Sequence, residues 1–309
     1  MIFYGGYMAK KIRKIKVHHH QHTFEEVNDN FILNCERKNL SPQSIKSYQS
    51  KIKLLLLAFP NQSIEQLDND KLNKQFLSWL KKNRNFSDSS INITIKNINT
   101  FLNYINKHHQ TKLHLEPIKQ VKTIKSVYTK EEVKRLTYFK ITDGTLQSHY
   151  AMYIATLIAI NTGARINTVC HIKVSDIHKD HILFRHNKNK KEVKYPYNKK
   201  LYKIIKAYID TCELESTDYL IQNSEGHAHN SKSLGASFTR YCEYCNVELH
   251  QFHALRRYHA QQLLIQTKNI HLVQQSLQHS SISTTELYIK NLGIESYKTE
   301  LENIDLMEE

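Results

Sequence analysis

Apolar side chains recur at helical spacing through the first third of the chain. In "LSPQSIKSYQSKIKLLLLAF" (Leu40–Phe59), Ile45, Tyr48, Ile52, Leu55 and Leu56 fall three and four residues apart and share one face of a helix. Ser41 suits the N-cap and Pro42 the first helical position. "DNDKLNKQFLSWLKKN" (Asp68–Asn83) predicts a second helix with Leu72, Phe76, Trp79 and Leu80 on one side. "SDSSINITIKNINTFLNYINKHH" (Ser87–His109) predicts a third, carried by Ile91, Ile95, Ile98, Leu102 and Ile105. Lys46, Lys51, Lys53, Lys96 and Lys107 stand on the polar faces. The pattern over residues 23–113 is that of a small helical domain with basic surfaces.

Periodicity then fails. "TKLHLEPIKQVKTIKSV" (Thr111–Val127) contains Pro117 and several lysines, and residues 114–128 read as an interdomain linker. A second domain, residues 129–309, opens on a helix whose Thr129 and Glu132 form a capping box. Two apolar segments, Ile182–Phe184 and Val193–Tyr197, flank a Lys/Asn turn and predict a small β-hairpin. The remainder reads as helical to the end. The fold class is therefore mainly α with one small hairpin, in two domains behind a leader of residues 1–22.

Composition sharpens this picture. Lys plus Arg number 44 against 29 Asp plus Glu, a net charge of +15 with His neutral. Such a balance favours a polyanionic partner. Within the leader, "KKIRKIK" holds Lys10, Lys11, Arg13, Lys14 and Lys16 with no acid, which suits an arm lying on DNA phosphates. Only 7 Gly and 4 Pro argue against a turn-rich β protein. No apolar run reaches the roughly 18 residues of a membrane span. With no signal-peptide pattern either, the expected location is the cytoplasm.

The five cysteines are an odd count and read as free thiols. Cys242 and Cys245 form a CxxC near His250 and His253, but that spacing leaves little room for a structural zinc fold. "HHHQH" (His18–His22) reads as leader. No metal or cofactor is expected.

Four short pieces interrupt the helical background. "NTGARINTV" breaks the apolar helix "YIATLIAI" and presents Arg165. "HNKNKKEVKYP" puts Lys188, Lys190 and Lys191 at the hairpin tip. "HALRRYHAQQLL" sets His253 and Arg256 one turn apart. "LQHSSISTTELYI" places His279 nine residues before Tyr288. Each alone is ordinary, and Tyr288 is one of 18 tyrosines. Together they supply what transfer of a phosphodiester to tyrosine needs: cations for the pentacoordinate transition state, an acid for the leaving oxygen and a base for the phenol.

In this order the boxes resemble the tyrosine recombinase (phage integrase) family. Arg165 matches its first arginine, His253 and Arg256 its H-x-x-R box, His279 its Leu-Gly-His element and Tyr288 its nucleophile. Counting back from Pro196, Lys188 matches the hairpin lysine, with Lys190 and Lys191 as neighbours open to the same role. The resemblance implies that Tyr288 attacks DNA to leave a 3′-phosphotyrosyl link. Arg165, Arg256 and His279 then stabilise the transition state, Lys188 is the general acid and His253 the general base. Arg257 is a phosphate or core contact, and Lys46 and Lys96 are DNA contacts.

The N-terminal helices resemble the family's SAM-like core-binding domain. The two domains are expected to form a C-shaped clamp around double-stranded DNA. Three positions depart from the family pattern: Thr168 replaces a Glu, Ala254 an Asp, and Gln278 the Leu-Gly-His glycine.

After Tyr288 the charge reverses, with six acids and two lysines over residues 289–309 and an apolar stripe of Ile294, Tyr297, Leu301 and Ile304. Ser283 and Glu286 form a capping box, so a short helix is expected to carry Tyr288. The resemblance implies that the C-terminal helix docks on a neighbouring protomer in a tetramer on two DNA sites. The expected function is site-specific DNA recombination. Type IB topoisomerase-like relaxation and a non-catalytic DNA-binding regulator of the same fold are the alternatives.

Overall fold

The structure, a computed structural model, describes residues 22–120, 126–142, 144–185 and 192–278. Two compact units divide the chain, residues 1–122 and 123–309.

The first unit holds four helices: α1 (Phe24–Arg37), α2 (Pro42–Ala58), α3 (Asn69–Asn83) and α4 (Asp88–His109). Each start has a capping side chain: Thr23, Ser41, Asp68 and Ser87 accept from backbone N–H groups of their first turns. At α1 the cap is reciprocal, because Glu26 Oε2 accepts from the Thr23 N–H. α2 begins at Pro42, as its pattern predicts. The predicted faces of α3 and α4 close the core, with Leu72, Phe76, Leu80, Ile98, Leu102 and Ile105 fully buried. Phe31 and Phe101 meet edge to face at 5.2 Å.

The segment after α4 departs from its expectation as a linker. Residues 112–118 lie extended with Leu113 and Leu115 buried. Asparagines on both sides bind their backbone. From α4, Asn106, Asn99 and Asn92 each give an amide N–H to a carbonyl and take the N–H of the same residue, at Leu113, Leu115 and Ile118. From α3, Asn69 and Asn73 bind Lys112, His114 and Glu116 in alternation with them. A carboxamide has the donor and acceptor of a peptide group, so it completes the hydrogen bonds a strand would otherwise find in a sheet. Pro117 and the lysines suggested a loose connection, but the asparagines one heptad apart on α4 (92, 99, 106) fix the segment to the helices.

The second unit contains α5 (Lys130–Leu136), α6 (Gln147–Thr162), α7 (Ile166–Val169), the strands β1 (His181–Phe184) and β2 (Val193–Pro196), α8 (Lys199–Thr211), α9 (Ser231–Tyr244), α10 (His253–Thr267) and α11 (Ile270–Ser276). α5 carries the predicted Thr129–Glu132 capping box. α6 has no charged residue and is buried on all sides, with Ala151, Ile154, Ala155, Ile158 and Ala159 in the core. α8, α9 and α10 pack on it. Among the described residues no helix is long and apolar enough to cross a membrane.

The hairpin forms as predicted, antiparallel, with Ile182 opposite Tyr195 and Phe184 opposite Val193. Ile182 and Phe184 point into the core, following the period of two. Helix does not continue throughout the remainder, however. Between α8 and α9 the chain makes isolated bridges, Lys173 with Tyr219 and Gln222 with Ala228. Its turn is built by Asn223 Oδ1, which accepts from Glu225 and His227 N–H groups, and by Gly226 at φ +77°.

Candidate active site

α6 ends at Gly163, which caps it in the left-handed conformation at φ +63°. The chain turns there, and Arg165 stands at the N-cap of α7, half-buried. Its carbonyl accepts from Thr168 and Val169. The expected break of the apolar helix at Thr-Gly is thus the device that presents Arg165.

His253 is the first residue of α10 and is exposed. Arg256, one turn later, is only 3% exposed. Its Nη1 donates to the Gly163 carbonyl at 2.6 Å and its Nη2 to the Leu277 carbonyl at 2.6 Å. One guanidinium therefore joins the segment leading into Arg165 to the end of α11, two residues before His279. Lys188, His279 and Tyr288 lie outside the described residues, as do the Ser283–Glu286 capping box and Lys10, Lys11, Arg13 and Lys14.

The base of the predicted lysine hairpin is tied by charge. Arg185 Nε donates to Asp176 Oδ1 at 2.7 Å and Nη1 to Glu192 Oε1 at 2.9 Å. Asp176 is buried and also accepts the Lys173 N–H. Arg185 and Glu192 flank residues 186–191, so their pair holds together the two strand ends from which Lys188 is carried.

Three further residues support the site and escaped the sequence reading. His259, buried on α10, has Nδ1 2.9 Å from the Ile160 carbonyl and Nε2 2.7 Å from Ser276 Oγ. A carbonyl can only accept, so Nδ1 carries the proton and Nε2 accepts from the Ser276 hydroxyl. Tyr195 of β2 closes the chain at Ser276 Oγ, 2.6 Å away. Burial, reinforced by the nearby Arg256 charge, pushes His259 below its ordinary pKa against the opposing Ile160 bond. The signal was present in "HALRRYHA": His259 follows Arg256 by three residues and so lies on its face.

Arg257 resolves differently. It is buried, and its Nε and Nη2 both donate to the Ser126 carbonyl at 2.9 and 2.7 Å. Of the two roles left open for it, the intradomain contact is present, to the Ser126 carbonyl. Lys46 and Lys96 are exposed on α2 and α4, as a phosphate contact requires. Thr168 and Ala254 are buried, so the carboxylates of the family pattern have no counterpart there. The C-terminal carbonyls of α6 and α11 supply the negative partners of Arg256 instead. Cys242 is buried in α9 and Cys245 caps its end, both as free thiols.

Residues 126–293 match the phage integrase family, and residues 28–130 match the phage integrase N-terminal SAM-like domain. The chain belongs to the phage integrase family, the tyrosine recombinases. It is accordingly a site-specific recombinase, an enzyme that breaks and rejoins DNA.

Curated relatives are similar over most of their length. The tyrosine recombinase XerA of Thermococcus kodakarensis is 26% identical over 238 residues, spanning 76% of this chain and 81% of its own. That of Pyrococcus furiosus is 24% identical over 291 residues, spanning 92% and 95%. Among solved structures, the Tn1549 transposon integrase in complex with transposon right end DNA superposes with a TM-score of 0.72 at 17% identity, covering 92% of this chain and 99% of that one. A lambda integrase dimer bound to a COC′ core site gives 0.69 at 17% identity, covering 93% and 81%. These likenesses establish the fold, with a SAM-like domain followed by a catalytic domain.

Proposed function

We propose that this recombinase exchanges strands through Tyr288, with Arg165, Arg256 and His279 holding the transition-state phosphate, Lys188 as acid and His253 as base. The observation that carries this reading is the double hydrogen bond of Arg256, which draws together Gly163, two residues before Arg165, and Leu277, two residues before His279. The segments that lead to Arg165 and to His279 thereby share the Arg256 guanidinium.

In the cleavage step the Tyr288 phenol oxygen forms a bond to a DNA phosphorus while the bond from phosphorus to the 5′-oxygen breaks. His253 takes the phenol proton and Lys188 gives one to the departing oxygen. The product is a 3′-phosphotyrosyl ester and a free 5′-hydroxyl. Attack by a 5′-hydroxyl from a partner duplex reverses each transfer and releases Tyr288. Ester energy is conserved throughout, so no nucleotide is consumed. Fixed cations do the electrostatic work at the phosphate.

Double-stranded DNA is the substrate in this reading, and the structural neighbours solved with DNA support it. Exposed Lys46 and Lys96, with Lys10, Lys11, Arg13 and Lys14 of the leader, contact phosphates. Four protomers assemble on two sites through the C-terminal segment, and a lambda integrase tetramer bound to a Holliday junction offers a parallel. The chain divides into a basic leader, a core-binding domain whose helices hold residues 113–118, a short linker after that segment and a catalytic domain from residue 129. The enzyme works in the cytoplasm, on the nucleoid.

The test is incubation with a nicked suicide substrate that traps the covalent product. A DNA–protein adduct is expected with the wild-type chain and none with Tyr288→Phe. An adduct undiminished by Tyr288→Phe would overturn the assignment, and absence of any adduct would favour a non-catalytic DNA binder.

A further inference from the structure

Three polar side chains meet on the first unit, apart from the six residues assigned above to strand exchange. His22, Glu65 and His109 each bring a ligand atom within 4.8 Å of the other two. They come from three parts of the unit: the residue before the α1 cap, the short 3-10 turn at Ile64–Gln66, and the last residue of α4.

The arrangement is built. The His22 carbonyl accepts the Ile64 N–H at 2.8 Å, and Thr23 pairs with Ser63 in a bridge. Ser63, which is buried, gives its hydroxyl to Glu65 Oε2 at 2.8 Å, and the His22 N–H reaches both carboxylate oxygens at 3.2 Å. His22 Nδ1 sits 3.2 Å from Glu65 Oε1, and the His22 and His109 rings meet at 4.5 Å. The carboxylate is thus oriented by the Ser63 hydroxyl and a backbone N–H, neither of them a ligand atom, as metal-binding carboxylates are.

We propose that His22, Glu65 and His109 form a binding site for zinc or a similar divalent transition metal. Two imidazoles and a carboxylate are the donor set such borderline ions prefer. Ligand atoms about 2.0–2.2 Å from a tetrahedral ion lie roughly 3.3 Å apart. The His22–Glu65 separation already meets that spacing, and His109, with a ligand atom within 4.8 Å of both, must close by up to about 1.5 Å to reach it. The ion takes the place of the contact between His22 Nδ1 and Glu65 Oε1. A fourth position stays open to water. Bound metal would fasten the start of α1 to the end of α4 and fix the point where the basic leader joins the unit. Within "HHHQH", His22 belongs to the fold.

The experiment is calorimetric titration of the untagged full chain with Zn²⁺. The reference is a variant with His18, His19 and His20 all changed to Ala, so that the leader adds no ligands. It should bind one equivalent, and its thermal midpoint should rise with zinc. In that background, His109→Gln should weaken binding by about tenfold or more, on the scale of lost metal-site interactions. His109→Cys, which restores a ligand, should recover it. Circular dichroism of the metal-free variants checks that they fold, which is expected because His109 is a half-buried helix end. Zinc binding unchanged by His109→Gln, or absent from the triple-alanine chain, overturns the proposal. Neither outcome bears on the covalent adduct at Tyr288.

Discussion

Arg256 and Gly163 are joined by a hydrogen bond of 2.6 Å although 93 residues separate them. The other arm of the same guanidinium reaches Leu277, and both acceptors are helix C-caps. Carbonyls at helix ends lack intrahelical partners and carry the negative pole of the helix. A planar fork can satisfy two of them at once, whereas an ammonium is a compact charge. Arg256→Lys is therefore expected to cost about 2–3 kcal/mol, the scale of a hydrogen bond to a charged group left unmade. Adduct formation should fall by more than the stability loss explains. Denaturant titration and the suicide substrate, run on the same preparation, separate the two effects.

Gly163 occupies a position that no other residue fits. An added Cβ would stand 2.7 Å from His259 Cδ2 and 2.8 Å from Leu277 Cδ2, at φ +63°. Gly144, at φ +85°, would meet nothing within 4 Å. Gly163→Ala should then lose roughly 2–4 kcal/mol from backbone strain plus overpacking, and Gly144→Ala only about 1–2 kcal/mol from strain. Equal losses in thermal melts of the two variants would mean that packing at Gly163 has been misjudged.

Much of this was legible beforehand. Ser41 with Pro42, and Thr129 with Glu132, marked helix starts where the structure has them, because a cap is a local hydrogen bond. The α6 break at Gly163 was visible for the same reason. What stayed hidden depended on distant partners. Nothing near Asn92, Asn99 or Asn106 in sequence reveals that their amides will hold residues 113–118. Nor does "RRY" disclose that Arg256 faces two helix ends while Arg257 turns to Ser126. The stretch between α8 and α9 was expected as helix with the rest of the domain; Leu220 and Ile221 are in the core, but the Asn223–Gly226 turn settles the backbone.

His259 makes the second unit sensitive to acid. Burial holds its pKa below the ordinary 6.5, with Arg256 adding to that effect and the Ile160 carbonyl opposing it. Above pH about 6.5 neither folded nor unfolded chain protonates this ring. Below it the unfolded chain takes up the proton first, so folding stability falls until the folded pKa is passed. His149 and His229 are lowered by burial too and act in the same direction. The melting temperature should decline between pH 7 and pH 5.5, and His259→Gln should show a shallower decline from a lower starting point. An unchanged slope would remove His259 from the account.

The asparagine clamp should be worth measurable stability to the first unit. Asn99→Leu removes both bonds to Leu115, whose N–H and C=O then lack partners beside a buried side chain. A loss of about 2–4 kcal/mol is expected at roughly 1–3 kcal/mol per unsatisfied group, with some relief from water at this partly buried site. The chain's one tryptophan, Trp79 on α3, reports unfolding of this unit by fluorescence. Trypsin offers a second readout, since exposed Lys112 and Lys119 bracket the held segment. Cleavage there should quicken in Asn99→Leu, and an unaltered rate would show that the helices hold the segment without this residue.

Gln278 stands where the family pattern has glycine, and its backbone explains that preference. It follows the α11 cap at φ +52°, with its N–H donated to the Gln275 carbonyl at 2.9 Å. The turn redirects the chain immediately before His279. A side chain in this left-handed region costs roughly 1–2 kcal/mol relative to glycine, while glycine gives back about 0.4–1 kcal/mol through a freer unfolded chain. Gln278→Gly should therefore raise stability by up to about 1 kcal/mol, with adduct formation retained because the path to His279 is unchanged. Gln278→Val, branched at Cβ, should lower stability, since such residues tolerate positive φ worst. Thermal melts of the pair give opposite signs if the turn is as described. Two variants indistinguishable from wild type would show that the segment before His279 is not held in this conformation in solution.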